Sequence, residues 1–218
     1  MSATNKRAIA SPRHTLSACA AIALLWLFLI GQLAAVGFFA RPSPIFPSWI
    51  QVAILAPPVT FTAAWLVWPG LRDAFAGVGL FFLTALQTYR ILGLSILILW
   101  GYGLLPGGFA IPMSILDASA GVLALNAIWR MNDGRPNWLR ATVIAHVWGF
   151  LDFGITIFLA LFFWTPTFLD PAVASGGYAS LAFPPLSLFP TFAIPFFSIA
   201  HIAALFLAAR TKSPHIAG

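Results

Sequence analysis

Long apolar runs separated by short polar segments dominate the chain. A helix that crosses a bilayer needs about 20 mostly apolar residues, and the sequence holds six runs of that kind. They cover residues 15–39, 47–68, 76–100, 111–129, 141–164 and 188–209. The pattern predicts an all-α integral membrane bundle of six transmembrane helices over residues 15–209, between an N-terminal tail (1–14) and a C-terminal tail (210–218).

The composition agrees with this class of protein. Of the 218 residues, 61% are hydrophobic and 7% are charged, whereas a soluble domain carries about 25% charged residues. Because so few charges cannot cover a water-facing surface, soluble enzymes, nucleic-acid binders and disordered scaffolds are excluded. The net charge of +6 is therefore interpreted as a topology signal. The single cysteine, Cys19, lies in the first run, so no disulfide can form within the chain.

The basic residues predict the orientation. If the N-terminus is cytoplasmic, nine of the eleven Lys and Arg residues lie on the cytoplasmic side, Arg41 lies in an outer loop and Arg90 lies inside the third run. Cytoplasmic loops are enriched in Lys and Arg, so both termini are predicted to be cytoplasmic. The first apolar run is too long for a signal peptide and predicts an uncleaved span. Residue usage rich in Ala, Gly and Arg favours a bacterial inner membrane.

Prolines mark the irregular places. Pro57 and Pro58 lie mid-way along the second run and Pro195 lies in the sixth. Each removes a helical hydrogen bond and predicts a kink. The proline-rich stretch 165–187 is predicted to be an interfacial or partly re-entrant loop. Kinks occur in inert spans as well as beside cavities, so they do not identify a function.

Five ionisable side chains lie inside the predicted spans, where a charge at the bilayer centre costs about 2.5–3.5 kcal/mol. They are Arg90, Asp117, His146, Asp152 and His201. Such groups are expected to face the bundle interior and to pair with one another. The connection of the spans favours Asp117 as the partner of Arg90, because spans three and four are consecutive. Depth in the membrane favours Asp152, because it lies near the middle of its span, as Arg90 does. The sequence leaves both pairings open.

One permanent cation and two carboxylates leave one aspartate without a fixed positive partner. That carboxyl group must be protonated, paired with a histidinium or hydrated. It suits a proton carrier, whereas a neutral carboxyl group can also act as structural glue between helices. Gln87 lies three residues before Arg90 and shares its helix face. Together these two residues could hold an anionic group or form a polar seam, and both interpretations stay open.

His146 and His201 are predicted at similar depth on consecutive antiparallel spans. Two such histidines suit the axial ligands of a haem b, although a hydrogen-bonded buried histidine is the commoner arrangement. The four histidines of the chain lack the spacing of a zinc site, so no metal site is predicted. The patterns H-E-x-x-H, G-x-S-x-G, C-x-x-C and the P-loop are absent, which favours a protein that is not an enzyme.

Short motifs follow one another in a fixed order from the third run onward. They are Gln87-Thr88-Tyr89-Arg90-Ile91-Leu92-Gly93, Leu105-Pro106, Phe109-Ala110-Ile111-Pro112, Asp117, residues 149–152, and Pro190-Thr191-Phe192 through Pro195 to His201. Over residues 86–209 this order resembles an uncharacterised family of bacterial multi-pass inner-membrane proteins whose function is unknown. Leu116 departs from the family pattern, which tends to have glycine before the aspartate. The resemblance implies the topology and the same charged residues, and it implies no activity.

These features predict a small proton-coupled transporter whose buried centre contains Arg90, Asp117 and Asp152. One alternative is a non-catalytic membrane scaffold or assembly factor in which the same charges fix helix packing. Another is a haem- or quinone-binding redox subunit that uses His146 and His201. The expected surroundings are the lipid bilayer and either further copies of the chain or a membrane partner, without nucleic acid. The sequence does not specify a substrate.

Overall fold

The computed structural model describes residues 12–40, 49–164 and 184–211, and the regular structure in these ranges is helical. The α-helices are α1 Pro12–Ala35, α2 Trp49–Val67, α3 Pro69–Ala85, α4 Ile96–Gly101, α5 Gly107–Asn132, α6 Trp138–Trp164 and α7 Ile194–Arg210. Two 3₁₀ segments, Phe38–Ala40 and Thr88–Ser95, and a π-helical turn, Phe189–Ala193, complete the described elements. Most of both predicted tails and of the predicted 165–187 loop lies outside these residues.

Five helical segments are long and apolar enough to cross a membrane. They are α1, α2, α5, α6 and α7 together with its π-helical turn. A sixth passes the same test if α3 and the segment Thr88–Gly101, which meet at a bend of 41°, count as one span. Helices of this length and hydropathy indicate a membrane protein.

The exposure of apolar side chains and the burial of a charged one agree with a membrane protein. On α1, the side chains of Ile22, Leu24, Leu25 and Phe28 are 64–67% exposed, whereas the side chain of Arg90 is fully buried. Soluble proteins instead bury most large apolar residues and rarely bury a charged one. An apolar surface around a polar interior therefore suits contact with lipid.

The run 76–100 predicts one helix, and the structure divides it. α3 begins earlier, at Pro69, and contains a non-helical φ of +80° at Gly79, which glycine adopts without steric cost. After Ala85 the chain turns and continues as the 3₁₀ segment Thr88–Ser95. Arg90 therefore lies beside a helix break and not in the middle of a regular α-helix.

The spacing of buried residues explains the 3₁₀ winding. Thr84, Gln87, Arg90 and Gly93, each three residues apart, are all buried. Side chains three residues apart eclipse in a 3₁₀-helix, whereas in an α-helix they are offset by about 60°. The 3₁₀ winding therefore keeps this polar stripe, defined by these four residues, facing the protein interior.

The three prolines that are predicted to kink spans lie in different settings in α2 and α7. α2 continues through Pro57 and Pro58. Pro195 lies in the first turn of α7, directly after the π-helical turn, where the missing N–H of proline is tolerated. The irregularity of the sixth run is a change from π to α winding near its beginning, and Pro195, which the sequence predicts to kink this span, lies directly after that change.

Helix packing brings α5, α6 and α7 around the polar stripe. α5 packs against α6, α4 and the 3₁₀ segment, while α7 packs against α2, α3 and α6. The buried residues of α5 include several small ones, Ala120, Gly121, Ala124 and Ala127. Small residues let helices approach closely, and this approach positions the charged residues described next.

Candidate functional site

Arg90 is the centre of a buried polar cluster. Its Nε donates to Asp117 Oδ1 on α5 at 2.5 Å, and its Nη2 donates to Asp152 Oδ2 on α6. Its Nη1 donates to the carbonyl oxygen of Gly149 at 3.2 Å, and its guanidinium carbon lies 4.2 Å from the ring centroid of Phe153. The sequence leaves the partner of Arg90 open between two aspartates, and in the structure Arg90 contacts both.

Two glycines allow the 3₁₀ segment to approach α5. A Cβ atom added at Gly93 would collide with the carboxyl group of Asp117. A Cβ atom added at Gly121 would lie 2.6 Å from the backbone nitrogen of Ile91, closer than any ordinary van der Waals contact. The contact between the 3₁₀ segment and α5 therefore depends on glycine from each side.

A chain of hydrogen bonds continues from Arg90 through both histidines. His201 on α7 lies with Nε2 3.1 Å from Arg90 Nη1 and Nδ1 2.9 Å from His146 Nδ1. His146 Nε2 lies 3.1 Å from the hydroxyl oxygen of Thr84. The Thr84 hydroxyl donates to the carbonyl oxygen of Leu80 at 2.7 Å. The chain therefore joins α6 and α7 to both sides of the helix break.

The two ends of this chain determine where its protons lie. A guanidinium can only donate, so His201 Nε2 accepts and His201 carries its proton on Nδ1. A carbonyl oxygen can only accept, so Thr84 donates its one proton to Leu80 and accepts from His146 Nε2. The remaining bond then runs from His201 Nδ1 to His146 Nδ1. Both histidines are therefore neutral, and they are opposite tautomers.

Nitrogen-15 NMR of protein labelled at histidine is expected to show this assignment. His201 should give the signals of the Nδ1–H tautomer and His146 those of the Nε2–H tautomer, each identified by its loss in the corresponding His→Asn variant. In Thr84→Val the acceptor of His146 Nε2 is gone, but His201 Nδ1 still donates to His146 Nδ1, so His146 should keep its Nε2–H tautomer. A histidinium signal from either residue at neutral pH would contradict this assignment of protons along the hydrogen bonds.

Gln87 differs from its neighbours on the polar stripe because it has no partner. The residue is 2% exposed, and neither its amide nitrogen nor its amide oxygen forms a hydrogen bond within the described part of the chain. An unsatisfied buried polar group costs about 1–3 kcal/mol. Because Gln87 lies between Thr84 and Arg90 on the stripe, its unused donors and acceptor lie on the same buried face as Arg90.

The two histidine rings, as they lie, do not fit a haem b iron. Axial ligation puts the iron and its macrocycle between two imidazole nitrogens. Here His146 Nδ1 and His201 Nδ1 are hydrogen-bonded to each other, and both Nε2 atoms are bonded to Thr84 and Arg90. No ring nitrogen is left to face a macrocycle. Among the described residues, no group of three or more His, Cys, Asp or Glu side chains could hold a metal ion.

Residues 47–209 match the sequence model of a family described as a domain of unknown function, DUF8737. The chain belongs to the DUF8737 family. This result confirms the predicted membership of an uncharacterised family, while the proposed motif pattern stays a prediction. No curated protein and no solved structure matches the chain. The DUF8737 region contains the whole charged cluster and leaves out α1.

Within the DUF8737 region, sequence reasoning missed the neutral groups that support the ionisable ones. Phe153 covers the guanidinium of Arg90, and Thr156 Oγ1 donates to Asp152 Oδ1 at 3.4 Å. Thr156 follows Asp152 by one helical turn, a spacing that brings side chains together and could have revealed the contact. The carbonyl of Leu80 carries no such signal, because every residue has one.

Proposed function

We propose that the chain crosses a bacterial inner membrane six times, with both termini in the cytoplasm. The five candidate spans and the bent pair, taken as the third span, support this number. An even number places both termini on one side, and nine of the eleven basic residues then lie in the cytoplasm. A reporter that is active only in the cytoplasm, fused to the C-terminus, tests the orientation, and an inactive fusion would contradict it.

We further propose that the protein is a small proton-coupled transporter and that the Arg90 cluster binds the proton. One observation carries this proposal: a single guanidinium contacts carboxylates from two helices. Arg90 is the only Lys or Arg among the buried described residues, so the cluster has a net charge of −1 when both aspartates are ionised. Because net charge is costly inside a membrane, the cluster favours one bound proton.

Asp152 is better suited than Asp117 to carry this proton. Asp117 is packed against Gly93, where even a Cβ atom would not fit. Asp152 contacts the Thr156 hydroxyl, which can donate to an ionised carboxylate and accept from a protonated one, so Asp152 keeps this partner in both states. The other titratable groups around the centre are Asp117 from α5, His146 from α6, His201 from α7 and the phenol of Tyr89 beside Arg90.

The helix break also supports a transporter. In many transporters the substrate and ion sites lie at interrupted helices, since irregular backbone at membrane depth is tolerated where protein buries it or where it lines a cavity. Arg90 lies in the 3₁₀ segment just after the 41° bend. The break therefore places the cluster in the kind of element that transporters use.

Infrared difference spectroscopy tests the proton site without a known substrate. Between alkaline and acidic pH, the wild-type protein is expected to gain the signal of a protonated carboxylic acid. Asp152→Asn should lack this signal. Asp73→Asn is the matched control, because Asp73 is exposed and lies outside the cluster, and it should keep the signal. A signal that persists in Asp152→Asn and disappears in Asp117→Asn would overturn the assignment to Asp152.

A membrane scaffold is the second candidate, and the saturation of Arg90 favours it. Four hydrogen bonds and the stacking on Phe153 leave Arg90 with little free donor capacity. In a scaffold these contacts would only fix the packing of α5, α6 and α7 on the 3₁₀ segment. The same spectroscopy separates the candidates, since a scaffold needs no carboxyl group that titrates near neutral pH.

A further inference from the structure

We propose that Gln87 and Arg90 form a binding site for a small carboxylate, which the protein binds together with a proton. This inference rests on the proton site proposed at Asp152. It names the class of the substrate. It also assigns a role to Gln87, whose buried amide takes part neither in the ion pairs of Arg90 nor in the hydrogen bonds through His201 and His146.

The first step is the free hydrogen-bonding capacity of Gln87. Its amide carries two N–H donors and one carbonyl acceptor, and all of them are buried without a partner in the described ranges. On one side of the polar stripe Thr84 is bonded to His146 and Leu80. On the other side Arg90 is bonded to the cluster. The unused donors and acceptor of this stripe are therefore concentrated on Gln87.

The second step is the chemistry of the neighbouring cation. Arg90 already receives two carboxylates, one at Nε and one at Nη2, so the site is shaped for planar carboxylate groups, which guanidinium binds well. When Asp152 takes a proton, it loses its ionic attraction to Arg90. The Nη2 edge of Arg90 can then donate to the carboxylate of a ligand, and the Gln87 amide can donate a second bond.

The third step is the charge of the site. With both aspartates ionised the cluster carries −1, and a ligand carboxylate alone would bring it to −2 inside the membrane. One proton and one ligand together return the charge to −1. The proton lies on Asp152, where Thr156 can accept its hydrogen bond. Ligand and proton are therefore expected to bind together, and the affinity should fall about tenfold per pH unit above the titration of Asp152.

The burial of the cluster limits the size of the ligand. Arg90, Gln87 and Asp152 are at most 2% exposed, which suits a ligand of only a few heavy atoms. Acetate and formate are therefore the probes. With so few atoms they are expected to bind with dissociation constants on the order of 1 mM.

Saturation-transfer NMR of acetate and formate, added to the purified protein in detergent, tests the site. In Gln87→Leu the dissociation constant of both acids is expected to rise at least tenfold. Gln32→Leu is the matched control, because Gln32 is exposed on α1, and it should bind as the wild type does. Gln87→Met keeps the length of the side chain without its polar atoms and should behave like Gln87→Leu.

Three results would overturn the carboxylate site. They are the absence of saturation transfer from both acids at every pH, equal affinity in the wild type and Gln87→Leu, and an affinity that does not change with pH while both acids are ionised. If Asp152 still titrates in the infrared experiment, the proton site survives and only the carboxylate site is lost. If Asp152 does not titrate, the proposed proton coupling is lost as well.

Discussion

Replacing Arg90 with glutamine is expected to lower the free energy of unfolding by about 3–5 kcal/mol. The substitution removes the cation that contacts Asp117 and Asp152 and leaves two carboxyl groups buried without it. It also removes the donor to the Gly149 carbonyl and to His201. Unfolding in detergent, driven by heat or by titration with a denaturing detergent, measures the loss.

The matched control replaces all three charges at once. In the triple variant Arg90→Gln, Asp117→Asn, Asp152→Asn, neutral amides of similar shape occupy the three positions. Because removal of a whole buried ion cluster can be nearly neutral while removal of one partner is not, the triple variant should recover most of the lost stability. If Arg90→Gln alone were as stable as the wild type, the ion pairs would not contribute to folding.

Replacing Gly149 with alanine is expected to disturb the cluster without changing any charge. The added methyl group would lie 2.7 Å from Arg90 Nη1 and would overlap the His201 ring. One of these side chains must move, so the free energy of unfolding should fall by about 2–3 kcal/mol. The same unfolding measurement applies, and the fixed histidine tautomers should be lost together with the stability.

Gly154 provides the control on the same helix. A Cβ atom added at Gly154 has no neighbour within 4 Å, so alanine there should raise the stability by about 0.5–1 kcal/mol through its lower conformational entropy. Gly149→Ala and Gly154→Ala should therefore change the stability in opposite directions. Equal effects at the two positions would show that Arg90 and His201 yield to the methyl group without cost.

The apolar spans could be predicted because length and hydropathy are local properties of the chain. The helix α2, Trp49–Val67, lies within the run 47–68, and α6 ends at Trp164 as its run does. The burial of the ionisable residues inside the runs could also be predicted, because a charge that faces lipid is costly and such residues therefore face the protein interior. The structure buries all five ionisable residues that the sequence places in spans.

The arrangement of these residues could not be predicted from the same patterns. Whether Arg90 meets Asp117, Asp152 or both depends on how closely three elements approach one another, and glycines such as Gly93 and Gly121 determine that distance. The helix break was missed because an apolar sequence has similar hydropathy in α and 3₁₀ winding. The spacing of three between Thr84, Gln87 and Arg90 was the local signal for it.

The 3₁₀ winding has a mechanical consequence for the bent pair formed by α3 and the segment Thr88–Gly101. The eight residues of Thr88–Ser95 cover about 16 Å at 2.0 Å per residue, against about 12 Å in an α-helix. Conversion to α winding would shorten the segment by about 4 Å and rotate α4 by about 160° relative to α3, because each residue would turn the chain by about 20° less. The contacts that Arg90 makes with Asp117, Asp152 and His201 therefore oppose this change of winding.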